Sequence, residues 1–190
     1  MNRKNNRRFQ KTEQLIQTRV FELLEKSPDS VLTISAICEA VPINRSSFYL
    51  HYKDIEGVLD AVMLRLHSEL MGTLRNEAVL TAASPLTAAI HCSAVHLNTN
   101  RSFYRYYINH AGESLLTGQF AEDYARLFSF FFHTGTTLSE LQRSYLSEFI
   151  QAGVLAVVTR WLNSDQAGAA EEFEKLFLMA AETSDAERKA

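Results

Sequence analysis

The sequence predicts an all-α protein, and three observations carry that expectation. Apolar residues recur at helical spacing along most of the 190 residues, the mark of helices with one face turned to a core. No stretch keeps up the apolar–polar alternation of a half-buried strand; SVLTI at 30–34 is the one β-rich run, and it is too short. Only three prolines and seven glycines interrupt the chain, so long helices are easily accommodated.

The elements follow in order. Residues 1–8, MNRKNNRR, have no apolar period and read as a flexible basic arm that ends at residue 9. A first helix is expected over about 10–26, with Ile16, Val20, Leu23 and Leu24 on one stripe. SPDS at 27–30 stops it, because Pro28 cannot continue a helix and Ser and Asp favour turns. A second helix fits 33–40 with Thr33 as N-cap, and Pro42 forces Val41 out of the helical region. A third begins after Asn44, with Ile43 and Phe48 placed for a hydrophobic staple. Two helices of eight residues or fewer, joined by a turn of three or four, have helix-turn-helix spacing. Asp54 then caps a long helix, about 54–80, and further helices are expected near 86–98, 101–115, 119–133, 138–164 and 168–183.

Charge divides the chain. Residues 1–53 hold nine Lys/Arg against five Asp/Glu, whereas residues 54–190 hold ten against seventeen. A basic head on an acidic body points to a polyanion at the head alone. Cys38 and Cys92 form no spacing motif and fall within helical patterns, where a thiol packs as a small hydrophobe. That usage, a basic N-terminus without an apolar signal core, and no apolar run approaching the ~20 residues of a membrane span lead us to expect a cytoplasmic protein that does not enter a membrane.

The stretch VPINRSSFYLHYKD (41–54) carries the chemistry. On a helix starting at Asn44, Phe48 and Tyr52 point inward while Arg45, Ser46 and Tyr49 share the opposite face. Small residues let such a helix approach a major groove; an arginine can bond guanine edges, and Ser and Tyr hydroxyls reach phosphates or bases. Lys53 stands at the start of the next helix, where its charge and the nearby backbone N–H groups can hold a phosphate. The plain alternative is a helical hairpin with a polar outer face.

TISAICEAVPINRSSFYLHYKDIEGVLDAV (33–62) resembles the DNA-binding segment of TetR/AcrR-type transcriptional regulators. The matching features are the Thr-Ile opening, Ile37, Glu39-Ala40, Ser47-Phe48-Tyr49, His51-Tyr52 and Lys53-Asp54, and the likeness covers about residues 10–65. It implies an all-α homodimer with a DNA-binding head over 10–53 and a helical effector-binding and dimerisation domain over 54–190. It also implies roles: Thr33 and Tyr49 on phosphates, Lys53 as a phosphate clamp, Arg45 and Ser46 reading bases, with Asn44, Ser47 and His51 beside them. One departure stands out. The family usually has Gly where this chain has Pro42, so either the turn takes another shape or the recognition helix is tilted.

In the body, ELQRSYLSEFIQAGVLAVVTRWLNSD (140–165) is apolar on two sides. Leu146, Ile150, Val154, Val157 and Trp161 form one stripe; Phe149, Ala152, Gly153 and Ala156, rich in small residues, form the other. A helix apolar on two sides is buried on two sides. With Phe173 and Phe177 of the following helix, these residues look like the family's two-helix dimerisation element, packed as four helices about a two-fold axis. FIQAGVLAVVTRWL is similar to a subset that includes regulators of dihydroxyacetone kinase operons. The aromatic stretches 101–112 and 125–135 offer Tyr104, Tyr107, Phe128 and Phe131 as walls for an apolar effector of unknown identity, although helix cores need such residues too.

Enzymatic chemistry is not expected. There is no Gly-rich phosphate loop, nucleophile elbow or paired-carboxylate signature. His91, Cys92 and His96 lack an identifiable further ligand, so neither a metal nor a cofactor is expected. The expected function is that of a DNA-binding regulator of transcription, a repressor released by an effector. Its partners are a second copy of the chain and double-stranded DNA with an inverted repeat. The alternative is a helical ligand-binding or protein-interaction dimer with a degenerate head.

Overall fold

In the computed structural model the described residues are 3–28, 30–110 and 139–164, with single positions 123, 171, 172, 175 and 179. Among them the helices are α1 (Arg3–Lys26), α2 (Ile34–Ala40), α3 (Arg45–Tyr49), α4 (Ile55–Leu74), α5 (Glu77–Leu80), α6 (Pro85–Thr99), α7 (Arg101–His110) and α8 (Glu140–Leu162). No strand occurs among the described residues. The fold is all-α.

Two differences from the expected boundaries have local causes. Helix α1 begins at Arg3 rather than near residue 10. Nothing in RKNNRR breaks a helix, since it holds no Gly or Pro. The long helix expected over 54–80 ends at Leu74, and a separate turn of helix follows. The break lies at Asn76, whose side chain accepts from the Ala78 N–H and so starts α5 instead of continuing α4. The helices expected over 119–133 and 168–183 lie outside the described residues, apart from the single positions named above.

The chain forms two compact units: residues 1–66 with 102–112, and residues 67–101 with 113–190. This division differs from the sequence boundary at residue 54. In the first unit the α1 stripe is as anticipated, with Ile16, Val20 and Leu24 at most 1% exposed. Ile37, Phe48, Val58, Leu59, Val62 and Met63 are buried in the same unit, each worth about 1.5–3 kcal/mol of transfer free energy when fully withdrawn from water. Helix α7 supplies Phe103, Tyr104, Tyr106 and Tyr107, all buried. Phe103 packs on Phe21 with ring centroids 5.2 Å apart. The Tyr106 hydroxyl accepts from the Leu32 N–H at 2.9 Å. The Tyr107 hydroxyl donates to Asp60 Oδ1 at 2.9 Å; burial first, and then that carboxylate, push its pKa well above the ordinary tyrosine range, so it stays a donor.

In the second unit Leu70, Met71 and Leu74 of α4 meet Val79 and Ala89, with Leu80, Leu86, Ala88 and Cys92 packed around them. Buried His67 sets Nε2 at 3.0 Å from Asp123, which also binds Arg75 at 3.0 Å. The His67 hydrogen bond is the main reason the Asp123 carboxyl is held below its usual range. Helix α8 opens on a complete capping box, Ser139 with Gln142. At its other end Arg101 donates to the carbonyl oxygens of Trp161, Leu162 and Ser164 and lies over the Trp161 ring. A cation on the last carbonyls of a helix satisfies acceptors that have no partner within it and complements the dipole.

Candidate nucleic-acid interface

The candidate interface is built from α2, the turn after it, α3 and the first residues of α4. Thr33 caps α2 by accepting from the Ala36 N–H at 3.1 Å, and Asn44 caps α3 by accepting from the Ser47 N–H at 2.7 Å. Each keeps hydrogens to give: the Thr33 hydroxyl proton and the Asn44 amide donors can face a phosphate or base while the oxygen serves as cap. Helix α3 buries Phe48 completely and leaves Tyr49 55% exposed. Arg45 and Ser46 are exposed with it, and Ser47 is half-buried. The wheel drawn from the sequence is therefore the arrangement found: Phe48 and Tyr52 inward, Arg45, Ser46 and Tyr49 outward. From Asn44 to Lys53 there is no acidic residue.

The turn between the helices resolves what proline does there. Pro42 has φ of 26°. The Ile43 N–H bonds the Cys38 carbonyl at 3.2 Å, and the Val41 N–H bonds that of Ile37. This is the outer bond of a Schellman ending to α2, with Pro42 at the position that glycine normally takes. The turn thus keeps the left-handed shape despite the proline, and the cap of α3 is intact.

Several features were not legible in the sequence. The Arg45 guanidinium donates to Ser35 Oγ of α2, which holds the base-reading candidate across the turn. Leu50, 75% exposed, sits just beyond α3 beside Tyr49; an exposed apolar side chain there suits a thymine methyl. His51 is stacked under Phe9 of α1, ring centroids 4.0 Å apart, and its Nδ1 is buried without a hydrogen-bond partner among the described residues. Lys53 is exposed at the start of α4, next to Asp54, whose Oδ1 accepts from the Gly57 N–H at 2.8 Å. A lysine beside a capped helix N-terminus is a sound place for a phosphate.

The other sequence candidates are placed as follows. Tyr104 and Tyr107 are buried in the unit that holds the head, packed with Phe103, and Tyr107 spends its hydroxyl on Asp60. Phe128, Phe131, Phe173 and Phe177 lie outside the described residues. On α8, Phe149 is 77% exposed, Gly153 and Ala156 are exposed, and Val157 is half-buried. Trp161, expected at a dimer contact, is buried within its own chain. Leu141 and Tyr145, 61% and 62% exposed, extend the exposed side of α8 toward its start. Among the described residues no group of three or more His, Cys, Asp or Glu is placed to hold a metal, and no helix is long and apolar enough to cross a membrane.

Residues 90–182 match a family model described as the transcriptional regulator C-terminal region. No curated protein matches the chain. Among solved structures, the dihydroxyacetone kinase operon activator DhaS is similar over 94% of this chain and 96% of its own, with a TM-score of 0.61 and 14% identity. At that identity the likeness speaks for the fold.

Proposed function

The chain belongs to the TetR family of transcriptional regulators, and from that premise we propose that it is a homodimer whose two heads read an inverted repeat in duplex DNA. The observation that carries this reading is the face of α3. Arg45, Ser46 and Tyr49 are exposed together while Phe48 behind them is fully buried, and no carboxylate lies among them to repel a phosphate. Arg45 and Ser46 read base edges, Thr33, Tyr49 and Lys53 hold phosphates, and Asn44, Ser47 and His51 line the same contact. A two-fold dimer sets its half-sites about one helical turn, 34–36 Å, or a multiple of that apart. The work is done in the cytoplasm, with DNA and with no catalytic step.

We further propose that an apolar effector or a partner protein acts on the body and shifts the population of DNA-competent dimers, with α4, which contributes to both units, as the shared element. A dimer covering two successive half-sites blocks other proteins from that DNA, so repression is the outcome we expect. The similar structure is by name an operon activator, which favours activation as the second reading. A reporter driven by the bound promoter decides between them: loss of the gene raises expression under repression and lowers it under activation.

The test of DNA reading is selection of bound duplexes from a random pool by the purified protein. An enriched inverted repeat is expected, with Arg45→Ala relaxing one base position per half-site at a cost of about 1–3 kcal/mol. No enrichment at low ionic strength would sink the proposal in favour of a helical binding dimer with a silent head.

A further inference from the structure

We propose that the N-terminal part of α1 is a second DNA-contacting element, in which Arg7, Arg8 and Lys11 bind the phosphates flanking the half-site read by α3. This rests on the DNA-binding reading above and adds to it a separate surface. Three observations support it.

The first is length without a core. From Arg7 to Ile16, the first fully buried residue, α1 runs about 14 Å at 1.5 Å per residue. Residues 7–11 are exposed throughout, so this part of the helix is not there to cover the head's apolar interior.

The second is charge in an unfavourable place. Arg7, Arg8 and Lys11 are at i, i+1 and i+4, within one 100° arc of an ideal helix. None of the three has an ion pair among the described residues, and no acidic residue precedes Glu13. They crowd the positive end of the helix dipole and repel one another. A helix so charged is at ease only against a polyanion, and a duplex offers one negative charge per about 1.7 Å of its axis.

The third is attachment to the reading helix. Phe9, on the other side of α1 from the basic arc, stacks on His51 at 4.0 Å. His51 lies between exposed Tyr49 and exposed Lys53. The extension is therefore docked on the candidate interface by one face and open on its basic face, so DNA seated on α3 passes beside it.

The experiment uses the full-length protein and two labelled duplexes: the selected inverted repeat alone, and the same repeat with about one helical turn added at each end. Wild type should bind the longer duplex more tightly. The triple variant Arg7→Gln/Arg8→Gln/Lys11→Gln should lose that gain, and its plot of log affinity against log salt should be shallower by about 2–3, near 0.9 per lost phosphate contact. Its base preference should stay that of wild type. Phe9→Ala, which keeps every charge but frees the extension, should lose part of the flank gain. An unchanged salt slope and flank gain in the triple variant would overturn the proposal. So would loss of base preference at an unchanged slope, which would make the extension a mere prop for α3. Binding of wild type to anionic lipid vesicles, with DNA binding unaffected by the triple change, would assign the patch to a membrane surface. If wild type binds no duplex at all, the failure belongs to the DNA-reading proposal.

Discussion

At position 42 a proline stands where the backbone turns left-handed. Its ring favours φ near −65°, and it finds 26° instead. It also lacks the N–H that a Schellman ending gives to the carbonyl two residues before the helix's last half-turn, here Glu39. Glycine at this position would relieve a strain of order 1–3 kcal/mol and restore a hydrogen bond worth about 0.5–1.5 kcal/mol. Against that, glycine makes the unfolded chain freer by about 0.4–1 kcal/mol. The gains exceed the loss, so Pro42→Gly should stabilise the head by about 1 kcal/mol or more, read as a higher midpoint in urea with an unchanged slope; a lower midpoint would mean the ring is not under strain. The departure itself was legible, because a proline at that place in this motif is visible in the letters. Its outcome was not, since a tilted helix and a strained turn have the same sequence. The caps at Thr33 and Asn44 were legible for the opposite reason: capping is local, and each reaches only three residues ahead. The bond from Arg45 to Ser35 joins two helices, and nothing in either helix announces it.

Among the elements, α7 differs most from its sequence reading. Its aromatic density was plain, and a ligand wall was one use for it. The structure spends those rings and hydroxyls on the head instead. Tyr106 reaches across 74 positions to the Leu32 N–H, the donor just before the Thr33 cap. A periodic pattern reveals which face of a helix is apolar, but not which distant backbone group its hydroxyl will meet. Removing the oxygen therefore gives a sharp test. Tyr106→Phe leaves a buried N–H with no acceptor, a cost of about 1–3 kcal/mol. Tyr107→Phe frees a carboxylate that is only half-buried, and should cost less than Tyr106→Phe. Denaturation curves of the two variants side by side check the order; equal losses would mean that ring packing, common to both, carries the stability. The same contrast of local and distant cause explains α4. Its start at Asp54 was legible, whereas its early end at Leu74 was not, because the break at Asn76 is a choice between two local hydrogen-bonding patterns rather than a change in apolar period.

For the whole molecule, the question is what covers the open side of α8. In a single chain Leu141, Tyr145 and Phe149 stand 61–77% exposed, with Ala152, Gly153 and Ala156 continuing the same side. Large exposed rings in a row next to small residues mark a surface made for contact. The sequence made the two-sided character of this helix legible, but it could not sort one side from the other: Trp161 reads as interface by period and is in fact buried in its own chain under Arg101. Gly153 separates fold from assembly. A Cβ added there meets nothing within 4 Å in the isolated chain, so Gly153→Leu costs the subunit no clash and gains about 1 kcal/mol of helix propensity. Across a two-fold axis the same side chain would hold apart helices that small residues let approach. The expected result is a subunit at least as helical and as stable as wild type, yet lighter by sedimentation at micromolar concentration. Its affinity should fall for the full inverted repeat and stay the same for a single half-site, because only the second head's contacts are lost. If Gly153→Leu instead sediments as a dimer with wild-type affinity for the full repeat, the two copies meet through some other face, and the exposed rings of α8 belong to a different partner.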